Sequence, residues 1–374
     1  MEVALERFRV GQVRAGATVV RLVAQDQRKV CRMKRTLNIA SLTVLSFSVL
    51  MSVLSPAQAA PVPQPTPVSV GVIPVQSMGA FQWGIDSGVF KRNGISVQSV
   101  SVLPNPPLVL GALTTGEVQF AYMPLMPIIN SYAKAGAPLR IVAPGSGLAS
   151  AKDLANAQAD ASAATKIGHA AVCANAASGV NSWSSLAGKR VGVVARGQQG
   201  EILIANAVKS AGGDPASITW VEMPFAQVIP ALQSGTIDAG FLDEPYSQQC
   251  STSGFVNLGN PGVTFFTGTA VVGVWVTTAS FLEENPEVVR KFQKSLYEVH
   301  QAVMTSTKKM AQAVIASTKI TGATRANARA ANPMYFPLRV TRVSIAGPVN
   351  KMLALGYLSS NVDIRDLLAR QYRP

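Results

Sequence analysis

Residues 185–246 read SLAGKRVGVVARGQQGEILIANAVKSAGGDPASITWVEMPFAQVIPALQSGTIDAGFLDEPY, and the periods of their apolar residues decide the fold class. Residues 191–194 are a short buried-type strand, and 197–200 are a polar, glycine-containing turn. From 201 to 211 apolar residues recur at helical spacing (Ile204, Val208, Ala211) until Gly212 and Gly213 stop the helix. The whole reads as a βαβαβ unit. A helix opening on such a turn presents backbone N–H groups that suit an anion or a polar ligand head without any charged side chain.

The same alternation runs upstream. A strand at 68–73 leads through Gln76, Ser77, Met78 and Gly79 into a helix at 80–87, and a second strand follows at 95–102. Asn105, Pro106 and Pro107 supply a cap and first-turn prolines for a helix ending near 115–116. A strand at 118–122, a helix opened by Pro124, Leu125 and Met126 and running to 135, and a strand at 139–143 complete this series. The Ala-rich stretch 145–168 reads as a surface insertion, and 170–174 resumes as a strand. Downstream come a strand at 271–277 and a helix from Pro286, capped by Asn285, with Val289, Phe292, Leu296 and Val299 on one face. Further helices are expected at about 304–317, 323–331 and 338–355. Two βαβ series imply two similar α/β lobes with ligand-facing turns at strand carboxyl ends.

Not all of the 374 residues belong to these lobes. Residues 33–59 have the basic start, apolar centre and small-residue cut site (Ala57, Gln58, Ala59) of a signal peptide; an uncleaved anchor is the other reading. Residues 1–32 look like an overlong start, and 60–67 form a proline-rich tether. Removal of 1–59 takes away nine Lys/Arg and three Asp/Glu and lowers the formal charge from +14 to +8. The remaining basic residues are scattered without interleaved aromatics, which argues against nucleic acid as a partner. Cys31 leaves with the leader. Cys173 and Cys250 remain, either as one disulfide or as two separately buried thiols. A periplasmic location follows from the signal. Only His169 and His300 are available for acid–base or metal chemistry, and neither sits in a motif, so no enzyme, metal site or cofactor is expected.

Several segments, SLAGKRVGV with Arg196 and Gly197, ALQSGTIDA before DEPY, GALTTGEVQFAY, FLEENPEVVRKF and MLALGYLSSNVDIRDLL, carry a family resemblance in their order and spacing. Over roughly 68–370 the chain resembles the substrate-binding proteins of ABC importers in the nitrate, sulfonate and taurine group, which includes binders of the thiamine pyrimidine precursor. The resemblance implies a type II periplasmic-binding-protein fold, two α/β lobes joined by a two-strand hinge. Lobe one would be 68–169 with 278–374, lobe two 179–269, and the hinge crossovers 170–178 and 270–277. It further implies a monomer that captures a small-molecule solute and delivers it to an ABC permease and its ATPase. An exported enzyme of the same fold acting on a pyrimidine-like compound, or a sensor for a membrane kinase, are the other readings.

Carried over by motif position, ligand contacts fall at Gln76, Ser77, Met78 and Gly79; at Met123, Pro124 and Leu125; at Gly197, Gln198, Gln199 and Gly200; and at Asp243, Glu244 and Tyr246. The polar turn residues serve equally as helix caps. Asp243 stands where the family frequently has an aromatic. Together with Glu201 and Glu244 it favours a zwitterionic, amine-bearing or heteroaromatic ligand over bare nitrate, unless Glu201 only complements its helix dipole and Glu244 is structural.

Overall fold

The computed structural model describes residues 64–369 apart from His169 and Thr269. The leader, the signal segment and residues 60–63 of the tether lie outside the described residues, while the last two tether residues already belong to a strand. Ten strands form two five-stranded sheets. They are β1 Thr66–Val72, β2 Ile95–Val102, β3 Phe120–Pro124, β4 Leu139–Gly147, β5 Ala170–Ala174, β6 Arg190–Val193, β7 Thr219–Glu222, β8 Ala239–Asp243, β9 Val256–Asn257 and β10 Val271–Thr278.

The sheet orders are β2-β1-β3-β10-β4 and β7-β6-β8-β5-β9. In each sheet the first three strands are parallel, as βαβ crossovers require, and the fourth runs antiparallel to its neighbours. Each fourth strand is the one reached directly after the chain changes sheet. The segments 170–178 and 270–277, expected as hinges between lobes, carry the strands β5 and β10. Ala170–Ala174 pairs along its whole length with β8, and Val271–Thr278 lies inside the first sheet between β3 and β4. The reason is hydrogen bonding: AAVCA and VVGVWVT are buried throughout, and buried backbone groups need a ladder on each side. The links between the sheets lie between β4 and β5 and between β9 and β10.

The insertion is structured. Helices Ala151–Ala159 and Ala161–Ala164 occupy it, with Leu154 and Ala157 buried and Gln158 Nε2 donating to the Val263 and Phe266 carbonyls. Asn105 caps its helix as expected, accepting from Leu108 N, but Asn285 makes no side-chain cap at the start of Pro286–Met304. That helix instead owes its position to its apolar face. Phe292 stacks on Phe120 with centroids 3.8 Å apart and meets Phe90 and Trp275, so one ring ties helix, β3 and β10 together. In the other sheet, Cys173 of β5 and Cys250 of helix Gln249–Thr252 form a disulfide, their Cα atoms 5.4 Å apart.

Close backbone approach fixes the helix Met78–Asp86. A Cβ on Gly79 would collide with the Ala313 carbonyl oxygen and lie 2.9 Å from Ser317 Cβ. Gly79→Ala should therefore lower unfolding free energy by about 1–3 kcal/mol in urea titration. His300 is buried against Phe336 and the Pro337 carbonyl, and burial depresses its pKa from 6.5 to about 4. Between those values the unfolded chain binds more protons, so stability should fall as pH drops from 6.5 and level off near 4. The loss, roughly 3 kcal/mol, should be absent from the His300→Gln stability curve and so appear in the wild-type-minus-variant difference, measured by denaturation at each pH.

Candidate ligand cleft

The carboxyl ends of the parallel strands from both sheets converge on one cleft. Ile73 follows β1, Pro104 and Pro106 follow β2, Pro124 ends β3, and Val194 and Ala195 follow β6. Gln198, Gln199 and Gly200 open the helix Gln199–Ser210, Phe225 opens the helix after β7, and Phe241 and Asp243 come from β8. These residues line a narrow cleft with an interior of about 40 Å³. Most of the wall is apolar. Its polar part is the helix N-terminus, where Gln199 is 8% exposed and its Oε1 has no hydrogen-bond partner among the described residues, and Asp243, 7% exposed.

The lobes meet through several hydrogen bonds around this cleft. Gln76 N donates to the Glu244 carbonyl (2.8 Å), Asn130 Nδ2 to the Gly197 carbonyl (2.7 Å), and Asn332 N to Glu244 Oε1 (3.1 Å). Tyr246 Oη donates to the Thr321 carbonyl (3.3 Å), and Tyr357 Oη to Glu201 Oε1 (3.0 Å).

The residues expected to touch ligand divide into two groups. Pro124, Gln198, Gln199, Gly200 and Asp243 line the cleft. Met78, Gly79, Met123 and Leu125 do not: their side chains, or for Gly79 the backbone, pack in the core. Gln76 and Ser77 are buried and engaged, Gln76 Nε2 with the Ala328 carbonyl and Ser77 Oγ with Tyr122 Oη. The amides at Gln76, Met78 and Gly79 bond to the carbonyls of Glu244, Val75 and Gln76. Gly197 adopts φ +63°, its amide donating to Glu201 Oε2 and its carbonyl accepting from Asn130. Tyr246 stacks on Phe225 from outside the lining. Glu244 spans the lobes, its Oε1 accepting from Gln248 Nε2 and Asn332 N, while burial pushes its carboxyl upward against those bonds.

Glu201 is likewise occupied. Its Oε2 accepts from Arg196 Nε (2.8 Å) and Gly197 N (2.7 Å), and burial first, then the Glu201 charge, raise the Tyr357 hydroxyl that bonds its other oxygen. Of the three acids, only Asp243 lines the cleft. Ile73, Pro104, Pro106, Val194, Ala195, Phe225 and Phe241 escaped the sequence reading, although all but Phe241 follow a strand's carboxyl end, the position that signals the site in such sheets. His300 lies in the core, and His169 lies outside the described residues. Among the described residues, no group of three or more His, Cys, Asp or Glu is placed to hold a metal ion.

Comparison with known proteins agrees with this geometry. The family model described as NMT1/THI5 like matches residues 79–308. The chain belongs to the NMT1/THI5-like family. Its fold is that of the substrate-binding proteins of ABC import systems. The ligand-binding component of an ABC-type import system from Staphylococcus aureus is similar at TM-score 0.66 and 14% identity, over 82% of this chain and 98% of that one. The periplasmic aliphatic sulphonate-binding protein SsuA from Escherichia coli gives 0.61 and 19%, over 82% and 93%. The periplasmic nitrate-binding protein NrtA from Synechocystis gives 0.61 and 12%, over 79% and 83%. No curated protein matches the chain in sequence.

Behind the cleft, the Tyr122 hydroxyl lies 3.0 Å from Ser77 Oγ and 2.8 Å from Ser146 Oγ, and burial raises its pKa to about 12. Tyr122→Phe leaves two buried serine hydroxyls without this partner. The expected cost is about 1–3 kcal/mol of unfolding free energy, read from a urea midpoint shift at unchanged slope.

Proposed function

We propose that the chain is the solute-binding component of an ABC importer, exported to the periplasm after removal of 33–59. It acts as a monomer without a cofactor, captures a small organic ligand between its lobes and delivers it to a permease and its ATPase. The ligand is sulfonate- or taurine-like, or a nitrogen-containing heteroaromatic. The observation that supports this most is the composition of the cleft: a helix N-terminus with a buried, unpartnered Gln199 amide oxygen faces walls of Phe225, Phe241, Ile73 and three prolines. Helix-terminal N–H groups suit an oxyanion head, whereas the Gln199 amide oxygen is an acceptor and suits an N–H of the ligand. The apolar walls suit a carbon body, which nitrate lacks, and Asp243 adds a carboxylate for an amino group on the same ligand. A Cys173–Cys250 disulfide fits an oxidising compartment.

Thermal denaturation against taurine, alkanesulfonates, aminopyrimidines and nitrate at millimolar concentration tests this reading. A ligand that binds only the folded form raises stability by about 2.7 kcal/mol at a hundredfold excess over its Kd. An organic member should shift the transition where nitrate does not, and Phe225→Ala should weaken that binding about ten- to a hundredfold by removing one wall. Asp243→Ala should weaken amino-bearing ligands more than those without the group. If no member of the panel shifts the transition, the proposal is withdrawn.

A further inference from the structure

The cleft-lining turn of lobe two is held from lobe one through a single residue. Gly197 is gripped at both backbone atoms: its carbonyl accepts from Asn130 Nδ2 (2.7 Å), and its amide donates to Glu201 Oε2 (2.7 Å). Asn130 belongs to helix Leu125–Ala135 of lobe one. Glu201 is not itself from lobe one, but its other oxygen accepts from Tyr357 Oη (3.0 Å). Tyr357 follows helix Arg342–Ala354, whose chain continues to Leu368 and bridges to Ile141 of the first sheet. Both grips on Gly197 thus lead back to lobe one.

The local geometry makes these grips matter. Gly197 has φ +63°, and Gln198 and the residues after it take no side-chain cap, so little within lobe two fixes the turn except Glu201 and the Arg196 amide bond to Glu222 Oε1 (2.6 Å). The buried Asn130 amide is oriented by its bond, since exchanging its nitrogen and oxygen would set two oxygens together. Any opening of the lobes must separate Asn130 and Tyr357 from their partners.

We propose that Asn130 and Tyr357 are positioning residues that couple closure of the lobes to the conformation of the turn Gly197–Gly200, Tyr357 acting through Glu201. The ligand-facing amides of Gln198, Gln199 and Gly200 are then in place only while the lobes are closed, so closure builds half of the site. This rests on reading the cleft as the ligand site, but its test needs no ligand.

Hydrogen exchange of the full chain, followed in the peptide covering 196–203, is the measurement. Tyr357→Phe keeps the ring and removes the hydroxyl, and Asn130→Ala removes the other grip. Each should speed exchange in that peptide at least tenfold while peptides from β1 and β6 and the melting temperature stay near wild type. Lys209→Ala, which removes a contact to the Ala354 carbonyl away from the turn, should leave the peptide unchanged. Equal exchange in wild type and Tyr357→Phe, or acceleration spread evenly over the whole chain, would overturn the proposal. A solute panel without a binder would count against the proposed function while leaving this result readable.

Discussion

A parallel sheet built from βαβ units has helices on both faces, and this leaves the turns at the strand carboxyl ends as its uncovered edge. Here the constraint operates twice. The sheets β2-β1-β3 and β7-β6-β8 each present that edge, and the two edges face one another. Backbone groups at the ends of parallel strands must find partners outside the ladder. Some find them across the cleft, as Gln76 N does at the Glu244 carbonyl, and some remain available at the start of helix Gln199–Ser210. The antiparallel strands β10 and β5 follow from the same topology, because the chain that changes sheet arrives running the other way.

The charges around the cleft illustrate why residue type and sequence position do not define an electrostatic site. Glu201, Glu244 and Asp243 are all acids near one turn or one strand end. Two of them are engaged both by near neighbours and by one partner each far away in sequence. Glu201 meets Arg196, Gly197 N and Tyr357; Glu244 meets Gln248 and the Asn332 amide. Those acids join lobe to lobe, and a carboxylate accepting several N–H or O–H donors inside a protein is costly to separate from them. The apolar part of the lining then carries more weight in the ligand reading than a count of acids does.

Much of the fold was legible because its periods are strong. The strands at 95–102 and 170–174 and the helix beginning at Pro286 have the expected limits, and the type II sheet order matches the resemblance. The end of β4 was hidden. Pro144, Gly145, Ser146 and Gly147 look like a turn, yet they extend the strand because the Tyr122 ring fills the space that side chains on Gly145 and Gly273 would take. The insertion helices were faint because only Leu154 and Ala157 anchor the first of them. At the site, polar turn residues announce themselves, whereas Phe225 and Phe241 read as ordinary core until the strand ends are located. The Tyr357–Glu201 pair spans 156 positions, which no local pattern reports.

The two jaws differ in how their conformation is held. Lobe one is braced from within: Tyr122 joins Ser77, at the start of one helix, to Ser146 in β4, and its ring packs over two glycines of adjacent strands. On lobe two, the turn at Gly197 has a glycine-specific φ and draws part of its support from the opposite lobe. Separation of the lobes would therefore leave the first jaw largely unchanged and release the second. Under the proposed function, such an asymmetry would place the ordering cost of capture on a few turn residues, where roughly 1–2 kcal/mol per residue of backbone entropy is at stake, and keep the rest of the framework preorganised.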